Sequence, residues 1–187
     1  MSLIEIAAVL LGITNIVLII RRSVWNYPFA LAMVTLYFFI FRNLKLYSDA
    51  GLQIFFFAVN LYGWWAWNRN KADAGEVVVE RLGRNGLLAW LSGSAITTLG
   101  WGILMSRYTD ASYPFWDAGV AMLSVAGQIL MTRRYLENWW WWIVVYAISI
   151  PLYIVKGIHL TAGLYVLFLA LAVAGLLEWR KVRAQQP

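Results

Sequence analysis

The 187-residue chain has no cysteine, one histidine and only 13% charged residues. Lack of cysteine excludes disulfides, thiolate metal sites and cysteine nucleophiles. The lone histidine, His159, falls in a predicted external turn, where an imidazole is ordinarily solvated, so neither a metal nor a cofactor is expected. Charge is missing from the middle of every long apolar stretch: Glu5, Asp49, Asp117, Glu137 and Glu178 all stand near segment ends. An enzyme acting on lipid needs carboxylates or histidines clustered at one depth. The sequence has no such cluster, and the protein is read as not an enzyme.

What the chain has in excess is apolar surface, with 62% hydrophobic and 17% aromatic residues. So little polar surface cannot coat a soluble globule, which makes this an integral membrane protein. Crossing ~30 Å of hydrocarbon takes about 20 apolar residues in a helix. Seven such runs are predicted, at 3–20, 24–42, 50–67, 86–105, 115–132, 139–155 and 160–179. They lack the alternation of a membrane barrel and are therefore helices. The first run is expected to be retained rather than cleaved as a signal, since its positive charges, Arg21 and Arg22, follow it.

Counting Lys and Arg by alternate loops gives the orientation. One side collects Arg21, Arg22, Arg69, Lys71, Arg81, Arg84, Arg133, Arg134, Arg180, Lys181 and Arg183, whereas the other has only Arg42, Lys45, Arg107 and Lys156. The expected N-terminus is outside and the C-terminus cytoplasmic. A basic face toward anionic membrane lipids accounts for the net charge of +6 without nucleic acid.

When the sequence is slid along itself without a gap until Glu5 meets Asp117, the first three segments superimpose on the last three. EIAAVLLGITNIVLIIRR falls on DAGVAMLSVAGQILMTRR, Asn26 on Asn138, the AGL at 50–52 on the AGL at 162–164, Gly63 on Gly175 and Trp67 on Trp179. Twelve of the positions from 3 to 69 are identical, and seven of those are charges, an asparagine, glycines, a tryptophan and an alanine beside a glycine rather than scattered leucines. The expected organisation is one transmembrane domain: repeat one at 3–69, a polar loop and linker helix at 70–110, repeat two at 115–181. An odd number of spans in each half, with one helix between, makes the repeats parallel, a plan found in transporters whose site lies between the halves. The segment NRNKADAGEVVVERLGRN, residues 68–85, reads as a solvated cytoplasmic loop.

Polar side chains inside spans face the bundle interior, where they bridge helices or line a path. These are Thr14 and Asn15, Thr35, Gln53 and Asn60, Ser124 and Gln128, and Ser149. Gln53, Phe57, Asn60 and Trp64 are spaced four, three and four apart and share one helical face. Amides and aromatics of this kind suit a neutral, weakly polar ligand. Because coupled carriers place a carboxylate on their ion path, transport without coupling is expected.

Twelve tryptophans remain to be placed, of which Trp25, Trp67, Trp101, Trp116 and Trp179 fall at predicted interfaces as an aromatic belt. Four more stand together in ENWWWWIVVY, residues 137–146. At about 100° per residue they surround the helix. Trp139 and Trp142 share a face that Tyr146 continues; Trp140 and Trp141 point to packing or lipid. Two rings a turn apart serve as an interface anchor or clasp a flat heteroaromatic ring. Pro151 leaves the Ala147 carbonyl without its helical partner and is expected to kink the segment.

The stretches NIVLIIRRSVWNYPFALA, DAGLQIFFFAVNLYGWWAWNR, SVAGQILMTRRYLENWWWW and ISIPLYIVKGIHLTAGLY resemble the nicotinamide riboside transporters of the PnuC type and their relatives for other vitamins. The resemblance implies an all-α, seven-helix carrier of three-plus-one-plus-three plan, akin to the SWEET sugar carriers, and a homotrimer. It further implies facilitated diffusion of an unphosphorylated vitamin across the inner membrane, with a cytoplasmic kinase trapping it. The family motif WxxWxxx(N/D) falls on Trp139 and Trp142, but its last position holds Tyr146. Nicotinamide riboside is the expected substrate and thiamine the alternative, the latter because a thiazolium cation suits aromatic faces. A membrane subunit that captures a vitamin for an energised partner is the other class. The expected substrate residues are Trp139, Trp142, Tyr146, Gln53, Asn60, Phe57, Trp64, Gln128 and Asn15.

Overall fold

The computed structural model describes residues 3–43, 47–109, 113–155, 157 and 159–186. Two of the four cations counted on the sparse side, Lys45 and Lys156, lie outside them. Among the described residues there are seven helices: α1 Leu3–Ile20, α2 Asn26–Asn43, α3 Tyr47–Ala74, α4 Arg84–Tyr108, α5 Pro114–Thr132, α6 Asn138–Val155 and α7 His159–Gln185. Five of them, α1, α4, α5, α6 and α7, are long and apolar enough to cross a membrane, while α2 offers a shorter apolar stretch, Asn26–Ile40. The protein is all-α and multi-pass. Helices α3 and α7 outrun their apolar segments because hydropathy marks only what hydrocarbon requires. Residues such as Lys71, Ala72, Arg180, Lys181 and Ala184 are good helix formers that carry the helix onward. At the end of α3, Gly75 stops the helix at φ 77°, a left-handed cap for which glycine carries no steric penalty.

The chain divides into two compact units. One is built on α1–α3 up to Val78, with Thr132–Arg134 and the residues beyond Lys181; the other comprises Val79 to Lys181 apart from those three. In the first, α2 packs against both α1 and α3. Arg22 lies in the left-handed region, at φ 53°, and turns α1 into α2; the Ser23 amide donates to the Leu18 carbonyl at 2.9 Å. Asn26 opens α2 with its Nδ2 donating to the Ser23 carbonyl at 2.7 Å. Below, Trp67 meets Tyr27 edge to face, with centroids 5.4 Å apart. A Cβ on Gly63 would stand 2.6 Å from the Tyr27 ring, so only glycine admits this contact.

The same local arrangement recurs at the aligned positions of the second half of the sequence. Arg134 has φ 63°, the Tyr135 amide donates to the Leu130 carbonyl at 3.0 Å, and Asn138 Nδ2 donates to the Tyr135 carbonyl at 2.7 Å. Trp139 meets Trp179 edge to face at 5.6 Å, and a Cβ on Gly175 would collide with the Trp139 ring. Trp67 and Trp179, expected in an interface belt, are instead fully buried. Hydropathy places a tryptophan at a depth but leaves open which side of its helix faces lipid; of the five expected in the belt, Trp25 and Trp101 are exposed.

The polar connector also departs from the solvated loop expected. Its first part is helical, being the end of α3, and Val77 and Val79 are buried. Within the first unit, Arg22 Nη1 donates to the Val77 carbonyl at 2.9 Å and pairs with Glu76 at 3.1 Å. Asn70 Oδ1 accepts from the Val78 amide at 2.8 Å. In the second, the Leu136 amide donates to the Glu80 carbonyl at 2.8 Å and the Leu82 amide to Glu137 at 3.0 Å. The alternation of VVVE in an otherwise charged stretch put two valines inward and made a tethered strap.

Candidate functional site

Helix α6 carries no charged residue between Asn138 and Val155. Its four tryptophans part as helical geometry dictates. Trp140 is 51% exposed; Trp141 is buried, packs with Ala126 and Leu130, and donates its indole N–H to Ser94 Oγ at 3.0 Å. Trp139, 2% exposed, is packed on Trp179 and Gly175, and its Nε1 is buried without a hydrogen-bond partner. Trp142 turns to Tyr146 instead, the two rings stacked at 5.7 Å with planes 22° apart. The two tryptophans of the shared face thus have different neighbours.

Around Tyr146 gathers an aromatic cluster. Tyr165 stands edge-on to it at 5.6 Å and Phe168 tilts against it at 5.6 Å, both from α7. Tyr153 meets Tyr165 at 4.8 Å, their hydroxyls 3.4 Å apart. Sequence spacing on α6 could not supply Tyr165 and Phe168, because they come from the next helix. The repeat alignment could have: Tyr165 falls on Gln53 and Tyr146 on Val34. Pro151 lies within α6, which continues to Val155, and Trp116 Nε1 donates to the Ile148 carbonyl at 2.8 Å just before it.

In the first unit, Gln53 and Phe57 line a groove of about 200 Å³ with Val34, Thr35, Phe38, Phe39 and Ile54. Thr35 donates back to the Leu31 carbonyl at 2.7 Å, which leaves the groove nearly all apolar. In the sequence self-alignment its Val34 and Gln53 pair with Tyr146 and Tyr165, whose rings are in contact in the second unit. Asn60 is buried, with Nδ2 donating to the Phe56 carbonyl at 2.9 Å, and Trp64 is half-buried on the same face. Asn15 acts as a bridge, donating to the Asn26 carbonyl at 2.9 Å. Gln128 is buried on α5 in the second unit. Among the described residues no group of three His, Cys, Asp or Glu side chains could hold a metal.

The chain is similar along nearly its whole length to known carriers. The family model described as nicotinamide mononucleotide transporter matches residues 2–181. The nicotinamide riboside transporter PnuC of Escherichia coli is 30% identical, over 96% of this chain and 85% of its own. The riboflavin/roseoflavin transporter RibM of Streptomyces davaonensis is also 30% identical, over 91% of this chain and 81% of its own. A crystal structure of the vitamin B3 transporter PnuC superimposes with a TM-score of 0.81 at 26% identity, covering all of this chain and 84% of that one. A whole-length family match joined to the same helical fold leaves one conclusion: this chain belongs to the nicotinamide mononucleotide transporter family, as a PnuC-type membrane transporter.

Proposed function

We propose that this protein carries nicotinamide riboside across the bacterial inner membrane by facilitated diffusion, and that a cytoplasmic kinase traps the vitamin by phosphorylating it. The observation that carries the reading is the stacked Trp142–Tyr146 pair in a helix without charge. An aromatic ring gains from stacking there, whereas a mononucleotide's phosphate would lie beside no cation on α6. That asymmetry favours the riboside over its phosphorylated form. All seven helices span the membrane in this reading, with the N-terminus outside, and two parallel three-helix repeats flank α4. The recurrence of the Arg–Asn turn and of the buried aromatic pair at aligned positions supports it. Rocking of one repeat against the other provides alternating access. The working assembly is a homotrimer.

In the second unit Trp142 and Tyr146 stack on the vitamin's ring, the indole N–H of Trp139 offers a donor and Gln128 binds a polar group; in the first unit Gln53 and Asn60 are the substrate residues. Also within the first unit, Phe57 and Trp64 give α3 an aromatic face, and Asn15 holds α1 against the start of α2. A second reading has its own support. RibM, like the E. coli riboside carrier, is 30% identical to this chain, and Tyr146 replaces the family's Asn or Asp with a ring, which suits a larger flavin. Calorimetry with nicotinamide riboside, riboflavin and thiamine, repeated on Tyr146→Asn, separates them. Riboside binding that tightens in Tyr146→Asn supports the first reading, while flavin binding lost in that variant supports the second. Equal binding of all three, unchanged by the substitution, refutes Tyr146 as the selector. Purified protein in liposomes should equilibrate the bound vitamin without an ion gradient; accumulation that requires sodium or protons excludes facilitated diffusion, and transport by the chain alone excludes a subunit dependent on an energised partner.

A further inference from the structure

Hydroxyls inside helices ordinarily donate back to a carbonyl one turn earlier, which cancels most of the cost of burying them. This chain follows the rule repeatedly: Thr14 bonds to Leu10, Thr35 to Leu31, Thr97 to Gly93 and Ser124 to Val120. Ser149 breaks it. It is 0% exposed, yet its Oγ has no hydrogen-bond partner. An unpaired hydroxyl in so apolar a place is a standing cost, and alanine would fill the same backbone position without it.

Its place on α6 supplies the reason. Ser149 follows Trp142 by seven residues and Tyr146 by three, so all three share one face. At 1.5 Å of rise per residue the hydroxyl stands ~4.5 Å further along the axis than Tyr146 and ~10 Å beyond Trp142. A ring stacked on Trp142 and Tyr146 would present substituents along that face. Ser149 also lies two residues before Pro151, where the helix cannot close its regular ladder. The same helix holds the unpaired Trp139 Nε1, at the other end of the stripe.

We propose that Ser149 is a ligand-binding residue whose hydroxyl hydrogen-bonds a hydroxyl or amide group projecting from the stacked ring. The assignment rests on the carrier reading above and adds to it a polar contact outside the WxxWxxx(N/D) motif. Where Tyr146 removes the motif's carboxamide or carboxylate, Ser149 supplies a polar group one turn further on.

The test is Ser149→Ala in the full-length protein, with affinity for nicotinamide riboside, riboflavin and thiamine measured by calorimetry beside the thermal midpoint of the ligand-free protein. The expected result is a loss of about tenfold in affinity for whichever vitamin the unaltered protein binds, ~1.4 kcal/mol, with a ligand-free midpoint unchanged or raised. Ser149→Thr, which keeps the hydroxyl, should restore more of that affinity than Ser149→Val, its near-isostere without one. Unchanged affinity in Ser149→Ala, or equal affinities in the Thr and Val variants, overturns the assignment and leaves the carrier reading standing. If the unaltered protein binds none of the three, both fall together.

Discussion

At the scale of single residues, glycine and tryptophan divide the labour of closing two buried aromatic contacts. Gly63 and Gly175 leave room for the Tyr27 and Trp139 rings, which in turn abut Trp67 and Trp179. Gly175→Ala should therefore destabilise by about 1–3 kcal/mol through overpacking, seen as a lower thermal midpoint. Gly163→Ala, on the same helix with open space around it, should not. That Trp139 sits in a family motif was legible in sequence; that its ring closes a buried contact was not. A periodicity names the face a residue shares but never the partner opposite it.

Helix α6 shows what an element adds. The geometry of four successive tryptophans was readable from the turn of about 100° per residue, and their burial follows it, with Trp140 outward and Trp141 inward. The partners were not readable, since Ser94, Tyr165, Phe168 and Trp179 all arrive from other helices. The strap between α3 and α4 carries the same lesson in reverse. Charge made it look solvated, yet Val79 is 1% exposed and Glu137 accepts the Leu82 amide. Val79→Asp should put an unpaired carboxylate in that apolar place, at a cost of several kcal/mol, and open the strap to limited proteolysis. Val78→Asp, at a half-buried position, is the control and should leave the strap resistant.

Across the whole molecule, the absence of cysteine becomes an experimental convenience, because a single introduced thiol is then the sole label site. Asp73 lies at the end of α3 and Tyr108 at the end of α4, both exposed. If α4 crosses the membrane with the proposed orientation, Asp73→Cys should resist an impermeant maleimide in intact cells and react after lysis. Tyr108→Cys should react in intact cells. Labelling of both from one side would show that α4 does not cross and would dissolve the three-plus-one-plus-three plan.

Composition alone determined the solvent this chain folds in, for a surface this poor in charge has nowhere else to go. Apolar runs set the helices, and one fixed offset joined turn to turn and glycine to glycine, Arg22 to Arg134 and Gly63 to Gly175. These are local or self-comparing properties, and one dimension suffices for them. Tertiary structure decided what two separate helices bring to one place: that Trp67 and Trp179 are buried rather than interfacial, that two valines dock a charged strap, and that Tyr165 rather than a second tryptophan completes the surroundings of Tyr146. Contacts between distant segments depend on side-chain shape and on which face meets which, and neither is written in the order of the residues.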